Sequence, residues 1–330
     1  GIGESAFVAV IIFVIHLTTL SLLVLASLLY IAMNGLDVFH LNWQAPIAFG
    51  NLKTALFLGF SAAMLGISGF ESSANFVEEQ EAGVFPKTLR NMWAIVSFFN
   101  PVIAILIIGV IPLAQVGENK ESLLAFLGQT TGGSWLAWLI SIDAVLVLCG
   151  AVLTSFVGVS GLLNRMTLDR ILPNYFLKQN KRGSHYRIAI SFLILCISVL
   201  FATNGHLESL AGVYTFSFLA VMALFGIGNL LLKFKRSKLP RPVRARGVAV
   251  VTAITFVIIA FLGNMELNIY AFYTFLKYMV PSLLFIGIML NRVILIKLLI
   301  EALEYFYQPL RKMVILSNRY LQKMSVQINS

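Results

Sequence analysis

The feature that most constrains this chain is a series of apolar runs long enough to cross a membrane. Eight segments stand out, at about 6–33, 54–78, 92–115, 135–163, 187–203, 211–232, 248–263 and 269–291. A hydrocarbon core of about 30 Å needs roughly 20 apolar residues in a helix. Because lipid offers no hydrogen-bond partners, such runs form helices, and the chain is predicted to be an all-α polytopic membrane protein. The fifth and seventh runs are short, and we expect their ends to extend into neighbouring loops.

Composition supports this class and excludes others. Hydrophobic residues make up 59% of the chain and charged residues 12%, with a mean hydropathy of +0.89, unlike a soluble domain. The net charge of +10 does not indicate nucleic-acid binding, because basic residues between apolar runs are typical of cytoplasmic loops. Cys149 and Cys196 lack a CxxC spacing or a histidine partner, so neither a metal site nor a disulfide is predicted. The HExxH, GxSxG and P-loop motifs are missing, which argues against an enzyme.

The distribution of basic residues predicts the orientation of the chain. With a cytoplasmic N-terminal end, the loops and tail on that side hold 21 Lys and Arg, against Lys53 and Lys120 on the other. Cytoplasmic loops retain positive charge, so the C-terminus is predicted to lie in the cytoplasm. The membrane is expected to be a plasma membrane or a bacterial inner membrane. Residues 1–295 are predicted to form the transmembrane domain and 296–330 an amphipathic tail on the inner leaflet. Since the chain opens with Gly1, we expect further sequence before it.

A polar stretch, ISGFESSANFVEEQ at residues 67–80, interrupts the second apolar run with glycines, serines and carboxylates. Non-helical backbone within a membrane persists only where it is buried in protein or lines a polar cavity. Freed amides and carbonyls at two half-helix ends can hold a charged small solute. The alternative is that the glycines only permit close packing while Glu71 pairs with a neighbouring helix. An ionisable group within a span favours function, so a broken helix is predicted at 66–72.

The same stretch carries a family resemblance. GFESSANFVEE, followed by FPKTLRNMW, resembles the sixth helix and following loop of amino-acid permeases of the amino acid-polyamine-organocation (APC) superfamily. GIGESAFVAVIIFVIHLTTL resembles the fifth helix of that family, and IDAVLVLCGAVLTSFVGVSGLLNRMTLDRILP its eighth helix and the loop beyond. The resemblance implies a LeuT-like inverted-repeat transporter fold that lacks the first four helices. The chain is therefore interpreted as the C-terminal two thirds of a permease, or as the product of a shortened gene.

The resemblance also implies a function. It is secondary active transport of an amino acid or related amine, by alternating access around the broken helix, in contact with membrane lipid and without a cofactor. A proton gradient is the expected driving force, while sodium coupling and amino-acid exchange stay open. A non-transporting truncated protein, a sensor or a partner subunit is the alternative from another class. Neither the particular amino acid nor the oligomeric state is predicted.

Substrate binding and gating are assigned at the break itself. The substrate-binding candidates are Gly66, Ile67, Ser68, Gly69, Phe70 and Ser72. Free backbone groups and hydroxyls there can form hydrogen bonds with an amino group. Leu65 and Phe76 are the candidate gates that close over a bound side chain.

Coupling is assigned to titratable groups within the spans. In the resembling family a carboxylate at the position of Glu71 can link protonation to opening of the cavity. His16 is the second proton-coupling candidate, because imidazole titrates near neutral pH. Thr154 and Ser155 mark the region where sodium-coupled relatives offer hydroxyls to the ion.

Two further charges lie inside apolar runs, Asp143 and Lys277. Each either pairs structurally or lies along the transport path, and the sequence leaves both possibilities open. No metal ligands are predicted.

Overall fold

The computed structural model describes residues 2–74, 77, 80–81, 83–181, 183–236 and 245–328, and within them every regular element is helical. The α-helices are α1 (Ile2–Asn34), α2 (Asp37–Trp43), α3 (Leu52–Ala63), α4 (Phe70–Ala74), α5 (Val84–Val110), α6 (Leu113–Glu118), α7 (Leu123–Gly132), α8 (Ser134–Leu168), α9 (Tyr186–Ala202), α10 (Leu207–Lys235), α11 (Gly247–Leu267), α12 (Ile269–Leu290) and α13 (Arg292–Ile328). Short 3-10 turns cover Ala48–Gly50, Met64–Ile67 and Asn174–Leu177.

Seven of the described helical segments are long and apolar enough to cross a membrane. One of them, Leu52–Ala74, comprises α3, the 3-10 turn and α4. The fifth predicted run is α9, which has 17 residues and therefore spans about 25 Å, so its expected extension was wrong. The seventh run does extend, because α11 has 21 residues. The prediction of an all-helical polytopic membrane protein is confirmed.

The helices pack in two groups. In the first, α1 lies against α5, α7 and α8 around a buried apolar cluster that includes Leu23, Leu127 and Leu136. In the second, α10 packs against α11 and α12, and α3 packs against α11. A Cβ added at Gly263 of α11 would overlap the Ser61 hydroxyl of α3, so this glycine permits a close helix approach. The first half of the broken span is thus fixed to the second group.

Large apolar side chains cover the outer faces of the bundle. Phe7, Trp138 and Leu148 are each about two thirds exposed, as expected for side chains that contact lipid. The helix α13 has 37 residues with Pro309 inside it, and it runs without interruption through the predicted boundary at residue 295. The position of the tail on the inner leaflet stays a prediction.

Candidate functional site

The second span breaks over six residues. The α-helix α3 ends at Ala63, the 3-10 turn Met64–Ile67 follows, and Ser68 is extended with φ −71° and ψ 168°. Gly69 has φ +102°, in a region that residues with a side chain rarely adopt, and α4 begins directly after it. The predicted break is confirmed, with its irregular backbone at residues 64–69.

An asparagine on α11 holds the first half of the span. Asn264 Nδ2 donates to the Ser61 carbonyl at 2.7 Å and to the Ala260 carbonyl at 2.9 Å. Next to this contact, Met64 at the start of the 3-10 turn packs in a buried cluster with Phe218 and other side chains of α10 and α11. The α3 end of the break is therefore fixed by both packing and hydrogen bonding.

A second asparagine, on α5, holds the turn itself. Asn100 Nδ2 donates to the Gly66 carbonyl at 2.6 Å, which satisfies a backbone acceptor that the break has freed. The next residue, Pro101, lacks an N–H group, so the carbonyl of Ser97 one turn earlier has lost its helical donor. Two helices therefore present non-helical backbone acceptors around Asn100.

Glu71 links the second half-helix to α10. One carboxylate oxygen accepts the Gly69 N–H at 2.9 Å, and the other accepts the Tyr214 hydroxyl at 3.0 Å. The Ser72 N–H donates to the Gly69 carbonyl at 3.2 Å and closes the turn. The carboxylate therefore stabilises the glycine turn and ties α4 to a neighbouring helix.

Two cavities meet beside the break. The break cavity, of about 880 Å³, is lined by residues that include His16, Leu65, Gly66, Ile67, Ser97 and Asn100. The α5 cavity, of about 470 Å³, lies along the first half of α5 and is lined by residues that include Phe13, His16, Thr88, Asn91 and Asn100. Because His16 and Asn100 line both cavities, these two side chains lie between them.

The structure brings together two residues that the sequence treats separately. His16 Nδ1 lies 2.8 Å from Asp143 Oδ2, across the contact between α1 and α8. The Asp143 side chain is 4% exposed and the His16 side chain 35%. Asp143 therefore pairs with a residue that lines the cavities, and its role in transport stays a prediction.

Several predicted residues lie elsewhere. Ser68, Gly69, Phe70 and Ser72 form the turn and the start of α4, but they are not among the residues that line the two cavities. Phe76 lies outside the described residues. The predicted roles of these residues stay predictions.

The candidates for ion coupling on α8 bond within their own helix. Thr154 Oγ1 donates to the Gly150 and Ala151 carbonyls, each at 3.0 Å, and Ser155 Oγ donates to the Ala151 carbonyl at 2.8 Å. Lys277 lines a separate cavity of about 770 Å³ between the start of α12 and the α9–α10 connection. In the described part of the chain, no three His, Cys, Asp or Glu side chains are grouped to hold a metal ion.

Three residues of the site were missed by sequence reasoning: Asn100, Tyr214 and Asn264. Asn100 stands before a proline in the middle of an apolar run, and this Asn-Pro pair was the available signal. Tyr214 is a lone tyrosine in the apolar run of α10, and nothing in its local sequence indicates that it meets Glu71.

One charged contact outside the spans connects the two groups of helices. Lys120 Nζ, in the segment between α6 and α7, lies 2.9 Å from Glu208 Oε2 in the first turn of α10. The hydrogen bond that Lys120 donates to the Glu208 carboxylate, and the negative charge of that carboxylate, raise the pKa of Lys120 above its ordinary value. Both side chains are well exposed, so the pair stabilises the fold weakly.

Comparison with known proteins agrees with this architecture. The chain is 26% identical over 243 residues to "Branched-chain amino acid permease BcaP" of Bacillus subtilis (strain 168), a match that covers 72% of this chain and 51% of the relative. It is 24% identical over 237 residues to "Cationic amino acid transporter 2, vacuolar" of Arabidopsis thaliana, covering 71% and 36%. The chain therefore spans about half the length, or less, of these relatives.

A family model described as "Amino acid permease" matches residues 1–294, nearly the whole chain. The LeuT-like inverted-repeat fold is a general property of that family. The order of helices and the broken span agree with it. The chain belongs to the amino acid permease family of the APC superfamily.

Proposed function

We propose that this chain takes part in secondary active transport of amino acids, by alternating access around the break at residues 64–72. The observation that carries the proposal is a broken span whose freed backbone lines a cavity of about 880 Å³. Backbone carbonyls in such a cavity can accept hydrogen bonds from the ammonium group of an amino acid. Membership of a permease family is typical of a transporter rather than an enzyme.

The lining of the break cavity favours a substrate with an apolar side chain. Leu20, Leu65, Ile67, Ile103 and Ile107 contribute most of the apolar wall. Among the described residues that line this cavity there is no acidic side chain to pair with a cationic substrate. Burying a charge without a partner is costly, so the cavity suits a neutral, branched-chain type of amino acid better than a cationic one.

Proton coupling is proposed over sodium coupling. Glu71 and His16 are titratable groups next to the break, whereas the hydroxyls of Thr154 and Ser155 already donate within α8. Because the α8 hydroxyls keep lone pairs that can bind an ion, sodium coupling is an alternative that the experiment tests. Amino-acid exchange is a second alternative that it tests.

The test is uptake into liposomes that contain the protein expressed from its native gene. Saturable uptake of labelled leucine, weakly inhibited by excess arginine, is expected. A pH gradient that is acidic outside should drive leucine accumulation without sodium. An absolute need for sodium would contradict proton coupling, and counterflow that never becomes net accumulation would indicate an exchanger. The absence of any saturable uptake would support the non-transporting alternative.

A further inference from the structure

A hydrogen-bonded acid and imidazole lie inside the helix bundle. Asp143 Oδ2 is 2.8 Å from His16 Nδ1, and its side chain is almost fully buried. The other carboxylate oxygen, Oδ1, is buried without a hydrogen-bond partner among the described residues. A buried carboxylate with a single donor is costly within a membrane, and such groups mark functional sites more often than packing sites.

The pair is held by rigid elements. The long helices α1 and α8 pack along each other, and Ile12 approaches Gly150 about one turn from His16 along α1 and about two turns from Asp143 along α8. Ile140, less than one turn before Asp143, belongs to the buried cluster between α1, α7 and α8. The carboxylate therefore holds a fixed position relative to His16.

With Asp143 ionised, the contact favours one tautomer of His16. An ionised carboxylate only accepts hydrogen bonds, so Nδ1 of His16 carries the hydrogen in this contact. The other nitrogen, Nε2, is then the acceptor of the neutral ring. Because His16 lines both the break cavity and the α5 cavity, its ring lies where water from either cavity can reach it.

The other ionisable side chains on the helices around the pair lie at a distance from it along those helices. The helix α7 has no ionisable side chain, and α8 has no other carboxylate before Asp169 near its end. The helix α5 carries Lys87 and Arg90 in its first turns, well away from Asn100 beside the pair, and Glu71 is bonded to Gly69 and Tyr214. With a neutral ring the pair carries one negative charge, and one proton on Nε2 makes it neutral.

We propose that Asp143 is the positioning residue of a two-residue proton site, in which the transported proton binds His16 Nε2. The proposal rests on the proposed function and assigns its coupling proton to this pair rather than to Glu71. The proton arrives on Nε2 from water in one cavity and leaves to water in the other, while the Nδ1–H stays with the carboxylate. Asp143 keeps the ring in the tautomer and orientation that this exchange needs.

A transport experiment separates this assignment from the alternatives. For one coupled proton, a gradient of about one pH unit supports roughly tenfold accumulation of leucine at zero membrane potential. Asp143→Asn should lower that ratio to about onefold, keep leucine counterflow and flatten its pH profile, and His16→Gln should lower the ratio likewise. The double variant should lose no more than either single variant, and Asp143→Glu should restore part of the accumulation.

Glu71→Gln is the matched comparison, because it removes the other candidate carboxylate. It should slow transport but leave the pH gradient able to drive accumulation. Full accumulation by Asp143→Asn, with complete loss in Glu71→Gln, would overturn the proposal. Failure of the wild-type protein to catalyse counterflow would instead reject the proposed function.

A spectroscopic measurement tests the positioning role without transport. The chain has four histidines, so the ring nitrogens of His16 can be assigned by NMR of ¹⁵N-histidine-labelled protein in lipid nanodiscs. At high pH the wild-type spectrum should show the tautomer with hydrogen on Nδ1, and Asp143→Asn should lose that preference. A wild-type ring with hydrogen on Nε2, or a His16 signal that Asp143→Asn leaves unchanged, would overturn the proposal.

Discussion

Gly69 provides a direct test of the break, because its backbone conformation disfavours a side chain while the space around it would admit one. Its φ of +102° lies outside the regions open to residues with a side chain. A Cβ added there would meet no atom within 4 Å, so Gly69→Ala introduces no steric overlap. Any loss of stability in this variant therefore comes from the backbone alone.

The expected magnitude follows from that backbone strain. Holding a residue with a side chain in a sparsely populated region costs about 1–3 kcal/mol. Either the native turn persists at that cost, or the turn relaxes and the Gly69 N–H leaves the Glu71 carboxylate, its present acceptor at 2.9 Å. At about 2 cal/mol/K of unfolding entropy per residue, a chain of 330 residues loses about 1.5 °C of melting temperature per kcal/mol, so Gly69→Ala should melt about 1–4 °C lower.

The assay is thermal unfolding in detergent, together with leucine counterflow in liposomes. Gly59→Ala is the matched control, because Gly59 lies within α3 with ordinary helical φ and open space around a Cβ. It should be neutral or slightly stabilising, since alanine favours helix over glycine by up to about 1 kcal/mol. If Gly69→Ala unfolds at the same temperature and exchanges leucine at the same rate as Gly59→Ala, the strained turn is not required.

Three further predictions test the contacts around the break. Asn100→Ala should leave the Gly66 carbonyl without its donor, which should cost about 1–3 kcal/mol of stability and slow leucine counterflow. Asn100→Asp presents no N–H group, so it should not restore stability or counterflow. Tyr214→Phe removes the hydroxyl that donates to the carboxylate of α4, so faster hydrogen exchange of the α4 amides by mass spectrometry is expected with little change in melting temperature. Glu208→Gln removes the negative charge that pairs with Lys120 and raises its pKa. A small loss of stability should therefore be present at neutral pH, fade with added salt and disappear as the pH rises through that raised pKa. In the last case the measurement is the melting temperature at low and high salt, and a salt-independent loss would contradict the exposed-pair interpretation.

The helices could be predicted from the sequence because their signal is local. Apolar length and the lack of hydrogen-bond partners in lipid fix where spans occur, and the glycine and serine content of residues 66–72 marked the break. The short run of α9 was the exception. At its C-terminal end a turn with positive φ at Asn204 and Gly205 follows Ala202 closely, so the helix ends there.

The contacts of the site could not be predicted, because they join residues far apart in the chain. Asp143 and His16 are separated by 127 positions, and Tyr214 and Glu71 by 143. Each of these side chains was visible as a polar group in an apolar run, but its partner depends on how helices pack. Sequence reasoning therefore pointed to His16, Glu71 and Asp143 as polar groups within spans, but it did not identify the side chain that each one contacts.

Asn264 and Tyr214 hold opposite ends of the break by different numbers of contacts. Asn264 makes two hydrogen bonds to backbone carbonyls within a closely packed contact between α3 and α11, whereas Tyr214 holds α4 by one hydrogen bond from an exposed position. The contacts of the described part of α4 include α5 and α10. A closing motion meets the least resistance where the fewest contacts must break. On the proposed function, we expect α3 to form the fixed wall of the site and α4 the moving wall, with Gly69 between them as the hinge.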